Sequence, residues 1–212
     1  MSDAGALGLD LSLCKIIDPC SSEFTNDFAD AFFQKRKEKG ISPEQALACT
    51  QNPLYFGAML VNKGVAQGMV AGAANTTADV LRAALQVVGV KPGLKTVSST
   101  FIMVSPRTED PALMFADCAV VPCPTDEQLA DIATSTAETR RLILSDEPFV
   151  ALLSFSTKGS AEHELVSKVQ SAKAILDARS VDFAYDGELQ LDAAIVPRIA
   201  ASKAKNSPVA GM

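Results

Sequence analysis

Helical and strand-like hydrophobic spacings alternate along nearly the whole chain. Residues 14–19, Cys14-Lys15-Ile16-Ile17-Asp18-Pro19, are a short apolar run closed by proline and predict a strand. From a cap at Thr25 or Asn26, Phe28, Phe32 and Phe33 fall on one helical face, basic residues crowd the last turn, and Gly40 supplies the stop. Ser42-Pro43-Glu44-Gln45 combines a capping serine, a first-turn proline and a reciprocal glutamine, so a second helix starts there. Asn52-Pro53 ends it, and Leu54, Ala58 and Val61 continue helically to Gly64. Residues 68–72, Gly68-Met69-Val70-Ala71-Gly72, predict a buried strand. The next helix carries Val80, Leu81, Ala84, Leu85 and Val88 and closes at Gly89.

Further strands are expected at residues 97–104, 113–120, 149–156 and 181–185. Helices are expected from Thr125, where Thr125-Asp126-Glu127-Gln128 is another capping box, from about Gly159, and over 193–204. Lys91-Pro92-Gly93 is the expected hinge, which gives an α/β chain divided into residues 1–92 and 93–212. Composition agrees with that class. Hydrophobic residues make up 48%, aromatics only 6% and Trp is absent, a mixture suited to helices packed on an apolar, mostly parallel sheet.

Charge changes the picture by excluding partners. A net charge of −6 repels nucleic acid and anionic lipid surfaces, and no run approaches transmembrane length. An anionic ligand would therefore need a few local arginines, lysines and helix N-termini. The five cysteines form no CxxC pair and the one histidine, His163, is remote from them, which argues against a disulfide framework or a zinc site and for a reducing cytoplasm. The first fifteen residues carry Asp3 and Asp10 and no early basic residue, unlike a signal peptide.

Three segments carry candidate chemistry. The loop after residues 68–72 enters a helix through Asn75, Thr76 and Thr77, aiming unpaired N–H groups and hydroxyls into one place, with Arg82 about one turn further on. Phosphate binding fits this pattern, and so does an ordinary threonine N-cap beside a solvated Arg82. Arg36, within Lys35-Arg36-Lys37-Glu38-Lys39, can likewise complement a helix dipole or bind an anion. Ser154-Phe155-Ser156-Thr157-Lys158-Gly159-Ser160 also presents hydroxyls and a lysine, but it lacks the leading glycine of a Walker A loop and has Gly159 where a magnesium-binding hydroxyl belongs. Asp186, Glu188 and Asp192 read either as a metal or base cluster or as turn and cap residues. His163, between two glutamates, reads as solvated surface.

Together, Tyr55-Phe56-Gly57-Ala58-Met59-Leu60, Thr76-Thr77-Ala78-Asp79-Val80-Leu81-Arg82, Leu152-Leu153-Ser154-Phe155-Ser156-Thr157-Lys158-Gly159-Ser160 and the run DGELQLDAAIVP at 186–197 resemble the phosphate acetyl/butyryltransferase family. The similarity extends from about Gly8 to Met212, and the acetyl branch is closer than the butyryl one. The resemblance implies two α/β domains of the isocitrate and isopropylmalate dehydrogenase type, a homodimer, and no metal in the chemistry. It also implies exchange of an acetyl group between coenzyme A and phosphate by direct attack of the thiolate on acetyl phosphate. Carried over, Arg36 and Arg82 are associated with coenzyme A, and Asn75, Thr76 and Thr77 line the loop beside it. Guanidinium suits planar phosphate contacts better than ammonium does.

The chain departs from the family pattern at Asn75, where many members carry histidine, and at Ala71 and Ala83, in place of a common serine and proline. Relatives have a further strand and helix before the Gly8 region and continue beyond the segment like Ser207-Pro208-Val209-Ala210-Gly211, so the chain resembles an internal piece lacking both ends. The continuation carries an NDLSRG-like motif and the aspartate proposed as base. Neither occurs in residues 1–212, so no catalytic residue is assigned and the chain alone is expected to be inactive. Alternatives are a non-catalytic dimerisation or scaffold module and a butyryltransferase-like acyl transfer.

Overall fold

Capping chemistry sets the helix starts. Ser42 Oγ accepts from the Gln45 N–H at 3.2 Å while Gln45 Oε1 accepts from the Ser42 N–H at 2.9 Å. Thr125 and Gln128 repeat the arrangement at 3.2 and 2.9 Å. In both, two otherwise orphaned donors are satisfied reciprocally. The computed structural model describes residues 2–106 and 112–212, which divide into two compact units, Met1–Gly89 and Val90–Met212.

Unit 1 is helical among the described residues: α1 (Ser2–Ala6), α2 (Thr25–Arg36), α3 (Pro43–Thr50), α4 (Pro53–Asn62) and α5 (Thr77–Val87). After α2 the chain tightens into a 3₁₀ turn, Lys37–Lys39, and Gly40 takes φ +82°, a left-handed conformation that costs glycine little. Phe28, Phe32, Ala46, Phe56, Met59 and Val87 form the core. Lys35 Nζ donates to the Val87 carbonyl, and Asn62 Nδ2 reaches the same oxygen at 3.3 Å, so the open end of α5 is held from α2 and α4.

Two strands expected in this unit do not form. At residues 14–19, Asp18 accepts from the Cys20 N–H and the Ser21 hydroxyl, and this local turn replaces strand pairing while Ile17 still packs against the core. At 68–72 Val70 is fully exposed rather than buried, and Gly72 sits at φ +118°. A glycine-flanked run with no partner strand leaves its backbone to water.

Unit 2 holds two small sheets. β1 (Thr100–Met103) pairs antiparallel with β2 (Leu113–Ala116), Thr100 opposite Ala116 and Met103 opposite Leu113. β3 (Phe149–Leu153) pairs parallel with β4 (Ala184–Leu189), Phe149 opposite Ala184, with a register irregularity at Leu152/Leu153. α6 (Asp126–Leu144) packs on β2 and β3, and α7 (Glu164–Arg179) on β3 and β4. Between them lies a core of Ala133, Ala137, Leu152, Val169, Leu176 and Phe183. Buried Asp131 fastens the layer, accepting from Arg179 at 2.8 Å and from the N–H groups of Lys95 and Thr96.

The helix expected over 193–204 is two, α8 (Leu191–Ile195) and α9 (Pro197–Lys203), because Pro197 has no N–H with which to continue α8. The fold is thus mixed α/β, helices with small sheets. No helix among the described residues is long and apolar enough to cross a membrane.

Candidate functional site

The expected binding residues lie in unit 1. Thr76 is the N-cap of α5: its hydroxyl accepts from the Asp79 N–H at 3.2 Å and donates to Asp79 Oδ2 at 2.7 Å. Arg82, three residues further on, donates to Asp79 Oδ1 at 2.7 Å with its side chain 57% exposed. Thr76, Asp79 and Arg82 therefore form one hydrogen-bonded turn. The Thr76 hydroxyl and then Arg82 hold the Asp79 carboxyl below its ordinary range. Asn75 and Thr77 are exposed beside the cap.

Arg36 ends α2, half-buried, and its side chain makes no hydrogen bond or ion pair among the described residues. What relates it to Arg82 is Tyr55 on α4. The Tyr55 hydroxyl donates to Gln86 Oε1 at 3.1 Å, and its ring meets Phe32 edge-on with centroids 5.5 Å apart. Burial, then the charge of Cys49, pushes this phenol up from its ordinary pKa, while Arg82 and Arg36 both pull it down. Two guanidiniums from different helices thus act on one phenol. The sequence reading placed Tyr55 in a motif without giving it a role. Its signal was the lone tyrosine of a helix whose Leu54, Phe56, Ala58 and Met59 are core.

This neighbourhood gives a prediction. The only other tyrosine, Tyr185, is pushed up to about 12 by burial and by its hydrogen bond to Asp177, so Tyr185→Phe leaves Tyr55 as the one reporter. In that background Arg36→Ala and Arg82→Ala should each raise the Tyr55 pKa, because losing a nearby cation destabilises the phenolate. Ring resonances followed by NMR against pH measure this. A shift in one variant only means the two arginines do not share a site.

The polar segments of unit 2 are structural in their contacts. Asp186 and Glu188 lie within β4 rather than past a strand, and both are buried. Glu188 Oε1 accepts from the Gly159 N–H at 2.6 Å and the Ser156 hydroxyl at 3.2 Å, and Oε2 from Gln170 Nε2 at 3.0 Å. Asp186 holds Lys158 Nζ at 2.5 Å, so that lysine is already paired. The loop is fastened before α7 begins at Glu164, five residues later than the expected start. His163 caps α7, accepting from the Leu165 N–H at 3.1 Å, and lies edge-on to Phe155. Asp192 is engaged by Lys203. The five cysteines are free thiols, and among the described residues no group of His, Cys, Asp and Glu is placed to hold a metal ion.

Residues 2–212 match the family described as phosphate acetyl/butaryl transferase, and the chain belongs to that family. It is 51% identical to the phosphate acetyltransferase of Treponema pallidum, with 98% of this chain and 64% of that protein covered. Among solved structures, a phosphotransacetylase from Streptococcus pyogenes superposes with TM-score 0.87 at 43% identity, over 99% of this chain and 63% of that one. The EutD phosphotransacetylase from Staphylococcus aureus does so with TM-score 0.86 at 40% identity, over 100% and 64%. The chain thus spans a little under two thirds of the length of these relatives.

Proposed function

We propose that this chain provides the coenzyme A side of an acetyl transfer between coenzyme A and phosphate. The observation that carries the reading is the placement of two arginines in one helical unit, Arg36 at the end of α2 and Arg82 bonded to Asp79 beside the Thr76 cap of α5. A protein of net charge −6 that binds a polyanionic cofactor requires such fixed cations. Arg36 has no competing carboxylate among the described residues, so it is the first contact. Arg82 reaches phosphate once the ligand competes with Asp79, and the exposed N–H groups and hydroxyl around Asn75 and Thr77 receive the same anion.

The names of the relatives support acetyl transfer as the reaction, and the family resemblance supplies its form. The coenzyme A thiol, deprotonated by a carboxylate, attacks the carbonyl carbon of acetyl phosphate; the C–O bond to phosphate breaks and phosphate leaves. No metal takes part in this scheme. The same reading extends to the two-domain isocitrate dehydrogenase type of architecture, a hinge at Lys91-Pro92-Gly93, a homodimer, and a cytoplasmic location.

Residues 1–212 contain no NDLSRG-like motif. The 212-residue polypeptide assayed by itself should therefore form acetyl-CoA from acetyl phosphate and coenzyme A at least about 10²-fold more slowly than a complete relative, the usual cost of a missing positioned base or oxyanion donor. A coupled assay at matched protein concentration checks this. Turnover at the relative's rate would place the complete catalytic set within these residues.

A further inference from the structure

α5, the helix that carries the Thr76 cap and Arg82, is held by its last turn. Residues 71–78, which lead into it, are all exposed. Among the described residues the side-chain hydrogen bonds of Thr76, Asp79 and Arg82 stay within their own turn. The apolar grip is small, since of the eleven residues of α5 only Ala83 and Val87 are buried. Two side chains four positions apart make a narrow stripe, which resists sliding or turning of the helix only weakly.

Polar contacts fix what the apolar ones leave loose. The carbonyls of a helix's last turn have no partner within the helix. Lys35 Nζ, from the last turn of α2, donates to the Val87 carbonyl and reaches that of Val88 at 3.5 Å. From α4, Asn62 Nδ2 donates to the same Val87 carbonyl and the Tyr55 hydroxyl to Gln86 Oε1. Of these three tethers Lys35 alone has the positive charge that suits a helix C-terminus, and it alone comes from α2, where the next residue is Arg36. A lysine in the last turn of a helix ordinarily complements that helix's own dipole. This one crosses to the end of another helix.

We infer that Lys35 is a positioning residue for Arg82: by tying the end of α5 to α2, it fixes where α5 presents Arg82 relative to Arg36. Arg82 lies five residues before Val87, about 7.5 Å along the axis, so a slide or turn at the tethered end carries directly to the guanidinium. Lys35 touches no ligand itself, because its ammonium is occupied by the carbonyls of α5. The inference rests on the coenzyme A reading of the two arginines and adds what holds them in register.

Coenzyme A titrations in a double-mutant cycle test this on the 212-residue chain. Lys35→Met keeps the length of the stem without the ammonium, and Lys35 is exposed, so the variant should fold. It should bind coenzyme A about fivefold more weakly than wild type, while Lys35→Arg, which keeps a cationic donor, should stay within about twofold. In an Arg82→Ala background Lys35→Met should weaken binding no further, because Lys35 acts through Arg82. A direct contact, a long-range attraction or a general loosening of unit 1 would instead cost the same in both backgrounds. Without ligand, Lys35→Met should speed amide exchange in α5 about tenfold relative to α2 and α4. Wild-type affinity in Lys35→Met, an equal loss in the Arg82→Ala background, or unchanged exchange in α5 overturns the inference and leaves the coenzyme A reading standing. No binding by wild type, or binding that Arg82→Ala does not weaken, overturns that reading and this inference with it.

Discussion

Replacing Glu188 with alanine should lower the stability of unit 2 by about 3 kcal/mol, through donors left buried and unpaired rather than through lost volume. Glu188 is 2% exposed and Ser156 wholly buried, so water has little access to the Gly159 N–H, the Ser156 hydroxyl or the Gln170 amide once the carboxylate is gone. Urea unfolding followed by the near-ultraviolet signal of Tyr185 in a Tyr55→Phe background reads this unit. Glu188→Gln keeps the volume and one acceptor oxygen but sets an NH₂ group among donors, so it should fall between wild type and alanine.

The same carboxylate makes the stability acid-sensitive, as does its neighbour Asp186. Burial pushes both up, but hydrogen bonds outweigh it: from Gly159, Gln170 and Ser156 on Glu188, and from Lys158, Ser207 and the Gly187 N–H on Asp186. Both folded-state values therefore lie below the unfolded ones. A depressed carboxyl contributes fully above its unfolded pKa, about 4.3 for Glu and 3.9 for Asp, and loses that contribution as pH falls through the folded value. Unit 2 should thus weaken below about pH 4, and Glu188→Gln should flatten the acid limb. An alanine variant within about 0.5 kcal/mol of wild type would mean that the loop at 156–160 is not held by this group.

Phe32→Ala should cost unit 1 about 3–5 kcal/mol, the usual range for emptying a buried phenylalanine site. Phe32 is 1% exposed and packs with Phe28, Phe56 and Met59 in the only sizeable core of this helical unit among the described residues. Its ring also braces Tyr55 edge-on. The substitution should therefore weaken coenzyme A binding even where enough folded protein remains to measure it. Phe32→Leu, which fills most of the space, should cost about 1–1.5 kcal/mol and keep binding near wild type. Urea titration in the Tyr185→Phe background reads unit 1 through Tyr55. If Phe32→Ala bound coenzyme A as wild type does, Tyr55 and the ligand would be independent.

Much of the fold was legible because local signals agree with it. The capping boxes at Ser42 and Thr125, the Gly40 stop and the Asn52-Pro53 break lie where side-chain and backbone chemistry require them. The strands at 14–19 and 68–72 were misread because an apolar run does not state whether a partner edge is present, and partners are long-range facts. The delayed start of α7 had a similar origin. Nothing in the local sequence at 156–161 shows that a carboxylate some thirty residues downstream accepts from that loop.

For the candidate site, Arg36 and Arg82 came from motif and charge, and the threonine cap of α5 from its helix-start chemistry. The relation between the arginines was not legible. It depends on α2, α4 and α5 packing around Phe32 and Val87, which brings Tyr55 within reach of both charges. Nor did the spacing reveal that Asp79, in the first turn of α5, would engage both Thr76 and Arg82.

Calorimetric titration of coenzyme A into the wild-type chain, Arg36→Ala and Arg82→Ala tests the central claim most directly. Each arginine should contribute a charge-assisted hydrogen bond of about 1.5–3 kcal/mol, so each variant should bind about tenfold or more weakly than wild type. The double variant should lose less than the sum, since both charges act on one site. Saturable binding that is unchanged in both single variants, or no binding by the folded wild-type chain at millimolar coenzyme A, would contradict the assignment of this surface.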